Sequence, residues 1–81
     1  MKLAYSPHFA RNYKKAPASI QRAFDKQARL LVEDLNHPSL RAKKYDEPRD
    51  LWQARVTRAW RFYFTIKGDT YCLHEIKRHP K

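Results

Sequence analysis

The sequence predicts a single α+β domain in which an N-terminal strand and a helical hairpin pack on one face of a small antiparallel sheet. Two patterns carry this. The last third, from Asp50 to Lys81, alternates apolar and polar residues in runs broken by Thr57-Arg58-Ala59 and by Lys67-Gly68-Asp69, the mark of half-buried strands joined by turns. The first half instead repeats apolar residues every three or four positions, as a helix with one buried face does. Length adds a third constraint. A chain of 81 residues buries only about 60% of its unfolded surface, so it supports one core spanning residues 1–81.

Taken in order, Lys2 to Tyr5 reads as a short opening strand. Ser6-Pro7 follows, where Ser caps a helix and Pro suits its first turn. Phe9 and Tyr13 then share one helix face, while Arg11, Asn12, Lys14 and Lys15 face water. Ala16-Pro17 interrupts the pattern. Pro17 or Ser19 opens a longer helix with Ile20, Phe24, Ala28, Leu31 and Leu35 as its buried stripe, and Asn36-His37-Pro38 ends it. Ser39 to Arg49 lacks periodicity and is expected to be a connecting loop, with Arg41, Lys43 and Lys44 clustered before Asp46 and Glu47.

Three strands complete the chain. In the first, Trp52, Ala54 and Val56 oppose Gln53, Arg55 and Thr57; in the second, Trp60, Phe62, Phe64 and Ile66 oppose Arg61, Tyr63 and Thr65. Pairing core with core requires an odd number of residues between the strands. A three-residue loop of Thr57, Arg58 and Ala59 meets that, setting Val56 against Trp60, Ala54 against Phe62 and Arg55 against Arg61. Like charges so placed destabilise a sheet, and an anion held between two guanidinium forks reverses the sign. In the last strand Tyr71 and Leu73 share a phase that Ile76 does not, so a bulge between Leu73 and Ile76 is expected. Lys77 and His79 then join the two arginines on the open face.

Composition narrows the function. Two Trp, five Tyr and four Phe exclude a disordered basic tail. The formal net charge of +10, from 18 Lys and Arg against 8 Asp and Glu, suits nucleic acid or an acidic protein segment. A lone Cys72 excludes an intrachain disulfide and reads as a small strand residue. No apolar run approaches the roughly 20 residues of a membrane span, and Met1 to Tyr5 is too short for a signal-peptide core, so a cytoplasmic location without a membrane partner is expected. No Gly-rich phosphate loop or metal-ligand spacing occurs, and neither metal nor cofactor is expected.

The open face has the residue types for metal-free RNA cleavage. That reaction needs the 2′-hydroxyl deprotonated, the charge at phosphorus stabilised and the leaving 5′-oxygen protonated. Arg55 and Arg61 suit the phosphate, and His79, whose imidazole can carry and release a proton, suits the general acid. Arg41, Lys43, Lys44, Arg58, Lys77 and Arg78 are candidate RNA contacts, and Tyr63 a platform for base stacking. Glu75 is a candidate base if its side chain reaches this face.

The stretch LWQARVT, two residues, WRFYF, a turn and a strand ending in KRH (Leu51 to His79) resembles the RelE/ParE superfamily of toxin-antitoxin toxins, most closely its YoeB-like ribosome-associated RNases. The resemblance extends over the whole chain. It implies a toxin that cleaves mRNA on the ribosome and is silenced by a cognate antitoxin in a hetero-oligomer. Arg61 then matches the phosphate-stabilising arginine, His79 the terminal catalytic histidine, and Arg55 a basic residue of the same cleft. Two departures stand out. Pro80 and Lys81 replace the terminal tyrosine that follows the histidine in the YoeB-like pattern, and that branch's glutamate base before the first meander strand has no match, the nearby positions being Ala42, Lys43 and Lys44. Lys43 or Lys44 is the substitute to examine. The same resemblance admits a ParE-like toxin that inhibits DNA gyrase by protein contact, or a non-catalytic RNA-binding member of the fold.

Overall fold

The computed structural model describes residues 1–80. Strand β1 (Lys2–Tyr5) leads into helices α1 (Pro7–Lys15) and α2 (Ala18–Glu33), and a 3-10 turn (Pro38–Leu40) precedes β2 (Lys43–Asp46), β3 (Leu51–Thr57), β4 (Trp60–Lys67) and β5 (Thr70–Arg78). The five strands lie in the order β1-β5-β4-β3-β2. Only β1 runs parallel to its neighbour, β5; the other pairs are antiparallel. No helix among the described residues is long and apolar enough to cross a membrane.

Helix α1 begins with a side-chain cap, whereas α2 opens after Pro17 without one. Ser6 Oγ accepts from the Phe9 N–H at 3.0 Å and Pro7 occupies the first turn, so the first orphan donors of α1 are partly satisfied. The hairpin is stitched by Gln21, whose Nε2 donates to the carbonyls of Tyr13 (2.9 Å) and Ala16 (3.2 Å). Phe9, Phe24 and Leu31 then meet Phe62, Phe64, Leu73 and Ile76 of the sheet in the core. Phe24 joins the two layers, with ring centroids 5.1 Å from Phe9 and 5.2 Å from Phe62. Each such side chain contributes about 1.5–3 kcal/mol by leaving water. Leu35 lies beyond the end of α2, and Ile20 within it; both are half-buried against this core.

Three features differ from the pattern-based expectation or refine it. Residues 43–46 form a strand rather than part of a loop, pairing Lys43 with Gln53 and Lys44 with Trp52. This is an edge strand, held by backbone hydrogen bonds on one side, so its side chains need no apolar alternation. The β3–β4 connection is also tighter than a three-residue loop. Thr57, not Val56, faces Trp60; Val56 sits in a bulge, and Arg58-Ala59 alone form the turn. The bulged residue supplies the odd count that parity demands, so Ala54 still faces Phe62 and Arg55 still faces Arg61. In β5 the bulge falls at His74: Leu73 pairs with Phe64 and Glu75 with Tyr63. Tyr71, Leu73 and Ile76 are thereby all buried, as the sequence requires.

Candidate functional site

Across the face of the sheet away from the helices, β2, β3 and β4, with the residues just before β2 and just after β5, bring Arg41, Lys43, Gln53, Arg55, Arg61 and His79 around one cleft of about 300 Å³. Among the described residues no carboxylate lines it. Strand order places Lys43 on one flank, the Arg55–Arg61 pair in the middle and His79 on the other flank.

Arg55 is the least compensated group in the cleft. Its Nε is buried without a hydrogen-bond partner among the described residues. Burial, then the neighbouring charges of Arg41, Arg61 and Arg58, push its pKa below the usual arginine value. A guanidinium nevertheless stays charged, so an anion is the partner that relieves both the donor and the repulsion. Its backbone is anchored from behind: Gln27, 6% exposed on α2, donates through Nε2 to the Arg55 carbonyl (2.9 Å) and the Ser39 carbonyl (3.1 Å). One side chain thus ties the β3 bulge to the 3-10 turn that carries Arg41. Arg41 itself adopts a left-handed backbone, φ 46°, which costs a non-glycine residue on the order of 1 kcal/mol and tends to mark functional positions.

Arg61 and His79 are organised by the β3–β4 turn. Arg61 Nη1 donates to the carbonyls of Thr57 (2.8 Å), Trp60 (3.0 Å) and Arg58 (3.1 Å). Those bonds all come from Nη1, which leaves the N–H groups on the other two guanidinium nitrogens for a ligand. The His79 N–H donates to the Ala59 carbonyl at 2.7 Å, which ties the end of the chain beside the same turn.

Other candidates lie elsewhere. Lys44 points to the opposite face, 5.2 Å from the Trp52 ring and paired with Asp50. Arg58 is exposed in the turn, and Arg78 pairs with Trp60, outside the cleft. Lys77 faces Arg61 in the register, but its Nζ lies 5.4 Å from the Tyr63 ring and lines a neighbouring hollow. Tyr63 is not an open stacking platform. It is 4% exposed, its hydroxyl accepts from Gln53 Nε2 at 3.0 Å, and Tyr45 covers it at a centroid distance of 5.1 Å. Glu75 is engaged by α1: Asn12 Nδ2 donates to Oε1 (2.6 Å) and His8 Nε2 lies 2.7 Å from Oε2. Burial raises the Glu75 pKa, but the bonds from His8 and Asn12, the His8 charge and the Ile76 N–H outweigh it and hold the carboxyl below its usual value. A carboxylate so stabilised is a poor base, and it stands outside the arginine cleft.

Sequence reasoning overlooked Gln27 and Tyr45. Gln27 carried a usable signal, since a polar residue between Phe24 and Leu31 on a buried stripe must find partners.

No protein-family model and no curated protein matches the sequence significantly. Solved structures do match in shape. A YoeB/ParE toxin from Agrobacterium tumefaciens superposes with a TM-score of 0.80 at 15% identity, covering 99% of this chain and 100% of the other. YoeB in the heterotetrameric YoeB-YefM toxin-antitoxin complex from Staphylococcus aureus gives 0.79 at 13% identity, covering 99% and 98%. The RelB-RelE antitoxin-toxin complex from Methanococcus jannaschii gives 0.77 at 17% identity, covering 93% and 88%. At such identities the likeness is one of fold, and the chain has the α+β fold of the RelE/ParE type that these toxin structures share.

Proposed function

We propose that this chain is a toxin of the RelE type, a metal-independent endoribonuclease that cleaves mRNA on the ribosome and is neutralised by a cognate antitoxin. The observation that carries the reading is the cleft itself: among the described residues Arg41, Arg55, Arg61, Lys43 and His79 converge without a carboxylate, around a buried arginine donor that has no partner there. Such a site suits a phosphodiester.

In the proposed reaction Arg55 and Arg61 bind the scissile phosphate and stabilise the charge that grows on its oxygens. The Lys43 amine takes the 2′-hydroxyl proton as the 2′-oxygen attacks phosphorus. The bond to the 5′-oxygen breaks, His79 protonates that oxygen, and a 2′,3′-cyclic phosphate and a free 5′-hydroxyl result. Lys43 and His79 suit these opposed roles because they flank the arginine pair from β2 and from beyond β5, roughly 14 Å apart at the backbone by strand spacing. Lys43 serves in place of the glutamate base that this chain lacks; Lys44 faces the wrong way. A partner with an acidic segment would silence the enzyme by occupying the same cations, and the likeness to chains crystallised with YefM and RelB supports that expectation.

The test is single-turnover cleavage of mRNA on programmed ribosomes, with end mapping and a parallel gyrase supercoiling assay. Cleaved transcripts bearing cyclic phosphates support the nuclease. Intact transcripts with inhibited gyrase would replace it with the ParE-like reading.

A further inference from the structure

Beside the arginine cleft on the same sheet face lies a second, larger hollow of about 560 Å³, whose walls include Tyr45, Leu51, Thr65, His74, Glu75 and Lys77. Its chemistry differs in kind. The arginine cleft holds four cations, one amide and the His79 imidazole, whereas this hollow sets aromatic rings, an aliphatic side chain, a hydroxyl, an imidazole and a carboxylate beside the cations Arg49 and Lys77. Glu75 repels a phosphate and offsets part of the pull of Arg49 and Lys77, so the hollow is less one-sidedly cationic than the arginine cleft. A neutral, flat, polar-edged group fits it better.

We propose that this hollow is a nucleobase subsite, in which one base of a single-stranded RNA stacks on Tyr45 and has its edge read by His74 and Thr65. The inference rests on the RNA-cleaving reading and extends it to the strand flanking the bound phosphate. Four observations support it. Tyr45 is 55% exposed and its ring rests edge to face against buried Tyr63, so it offers an open aromatic face supported from below. The His74 bulge turns two consecutive side chains, His74 and Glu75, into the same hollow. His74 Nε2 lies 2.8 Å from Thr65 Oγ1, a pair that presents both donor and acceptor to a base edge. The two sites are also in register: Arg61, Tyr63 and Thr65 alternate along one face of β4, so the phosphate and base sites are separated by roughly 13 Å at 3.3 Å per residue. A strand tracking β4 would span that distance in about two nucleotides. Lys77, opposite Arg61 and over Tyr63, stands between the sites for the intervening phosphate.

The experiment is a fluorescence titration of the full chain with a short labelled 2′-O-methyl oligoribonucleotide, which lacks the hydroxyl needed for cleavage, repeated at several salt concentrations. Loss of the stacking ring in Tyr45→Ala should weaken binding about 5- to 150-fold, with the salt slope unchanged. Tyr45→Phe should bind like wild type. Arg55→Ala should instead flatten the log-log salt slope by about 0.7, one phosphate contact on a single strand. His74→Ala, which leaves the Tyr45 platform intact, should reduce discrimination between oligonucleotides that differ at a single base. Unchanged affinity in Tyr45→Ala, with the Arg55→Ala effect present, would overturn the base subsite while leaving the phosphate cleft standing. No affinity in the wild type would overturn both.

Discussion

Replacing Arg55 by Met should make this protein more stable and less active, and the two effects have one cause. Arg55 faces Arg61 across the β3–β4 ladder, and its Nε is buried without an acceptor. A like-charged cross-strand pair costs roughly 0.2–1 kcal/mol, and a buried unsatisfied donor about 1–3 kcal/mol. Met keeps most of the aliphatic stem and its packing while removing both penalties. The net gain should be about 1–3 kcal/mol, which for a domain of this size raises Tm by roughly 5–20 °C. Urea denaturation checks it: the midpoint should rise with no change in slope, since the surface exposed on unfolding is the same. Inorganic phosphate supplies the second arm. It should stabilise the wild type by binding the folded cleft and have little effect on Arg55→Met, while single-turnover RNA cleavage by the variant should be lost. A lower urea midpoint in Arg55→Met, or equal stabilisation of both proteins by phosphate, would show that the guanidinium is structural and that the cleft is not built for an anion.

Four further outcomes follow from the same geometry. His79→Ala and His79→Gln should each lower single-turnover cleavage by about 10²–10⁴ with RNA affinity nearly unchanged, because proton transfer acts only in the transition state; a fully active Gln variant would remove His79 from the chemistry. Lys43→Ala should slow cleavage comparably while Lys44→Ala does not, since only Lys43 faces the cleft; equal effects would sink the assignment of the base. Gln27→Leu strips hydrogen bonds from the carbonyls of Ser39 and Arg55, and should cost about 2–4 kcal/mol in chemical denaturation along with activity. The Glu75 carboxyl is held below its ordinary value of 4.5, so its stabilisation is complete above that pH and is lost as the pH falls through the folded-state value. Asn12→Ala should therefore shrink the acid-side loss of stability, and an unchanged acid limb would disconnect Glu75 from it.

The sequence alone determined those parts of the molecule that local period and parity control. Alternation over Leu51 to Ile76 located β3, β4 and β5, because each has one face against the core and water or polar groups against the other. Parity then placed Arg55 opposite Arg61, and the phase break between Leu73 and Ile76 required the His74 bulge, since a side chain cannot change faces without an extra residue. Everything that depends on which distant segments meet was decided only by the tertiary structure. The stretch Lys-Lys-Tyr-Asp at 43–46 has no apolar face to betray a strand; pairing with β3 alone makes it one, and its register is what turns Lys43 toward the cleft and Lys44 away. The parallel docking of β1 on β5 likewise leaves no local trace, yet it sets α1 where His8 and Asn12 reach Glu75, removing the sequence's candidate base. Tyr63 alternates onto the open face as parity requires and is nevertheless buried, because Tyr45 from the edge strand lies over it. Periodicity states which side of a strand a residue leaves from; what covers that side is settled by contacts between segments that the chain brings together only by folding.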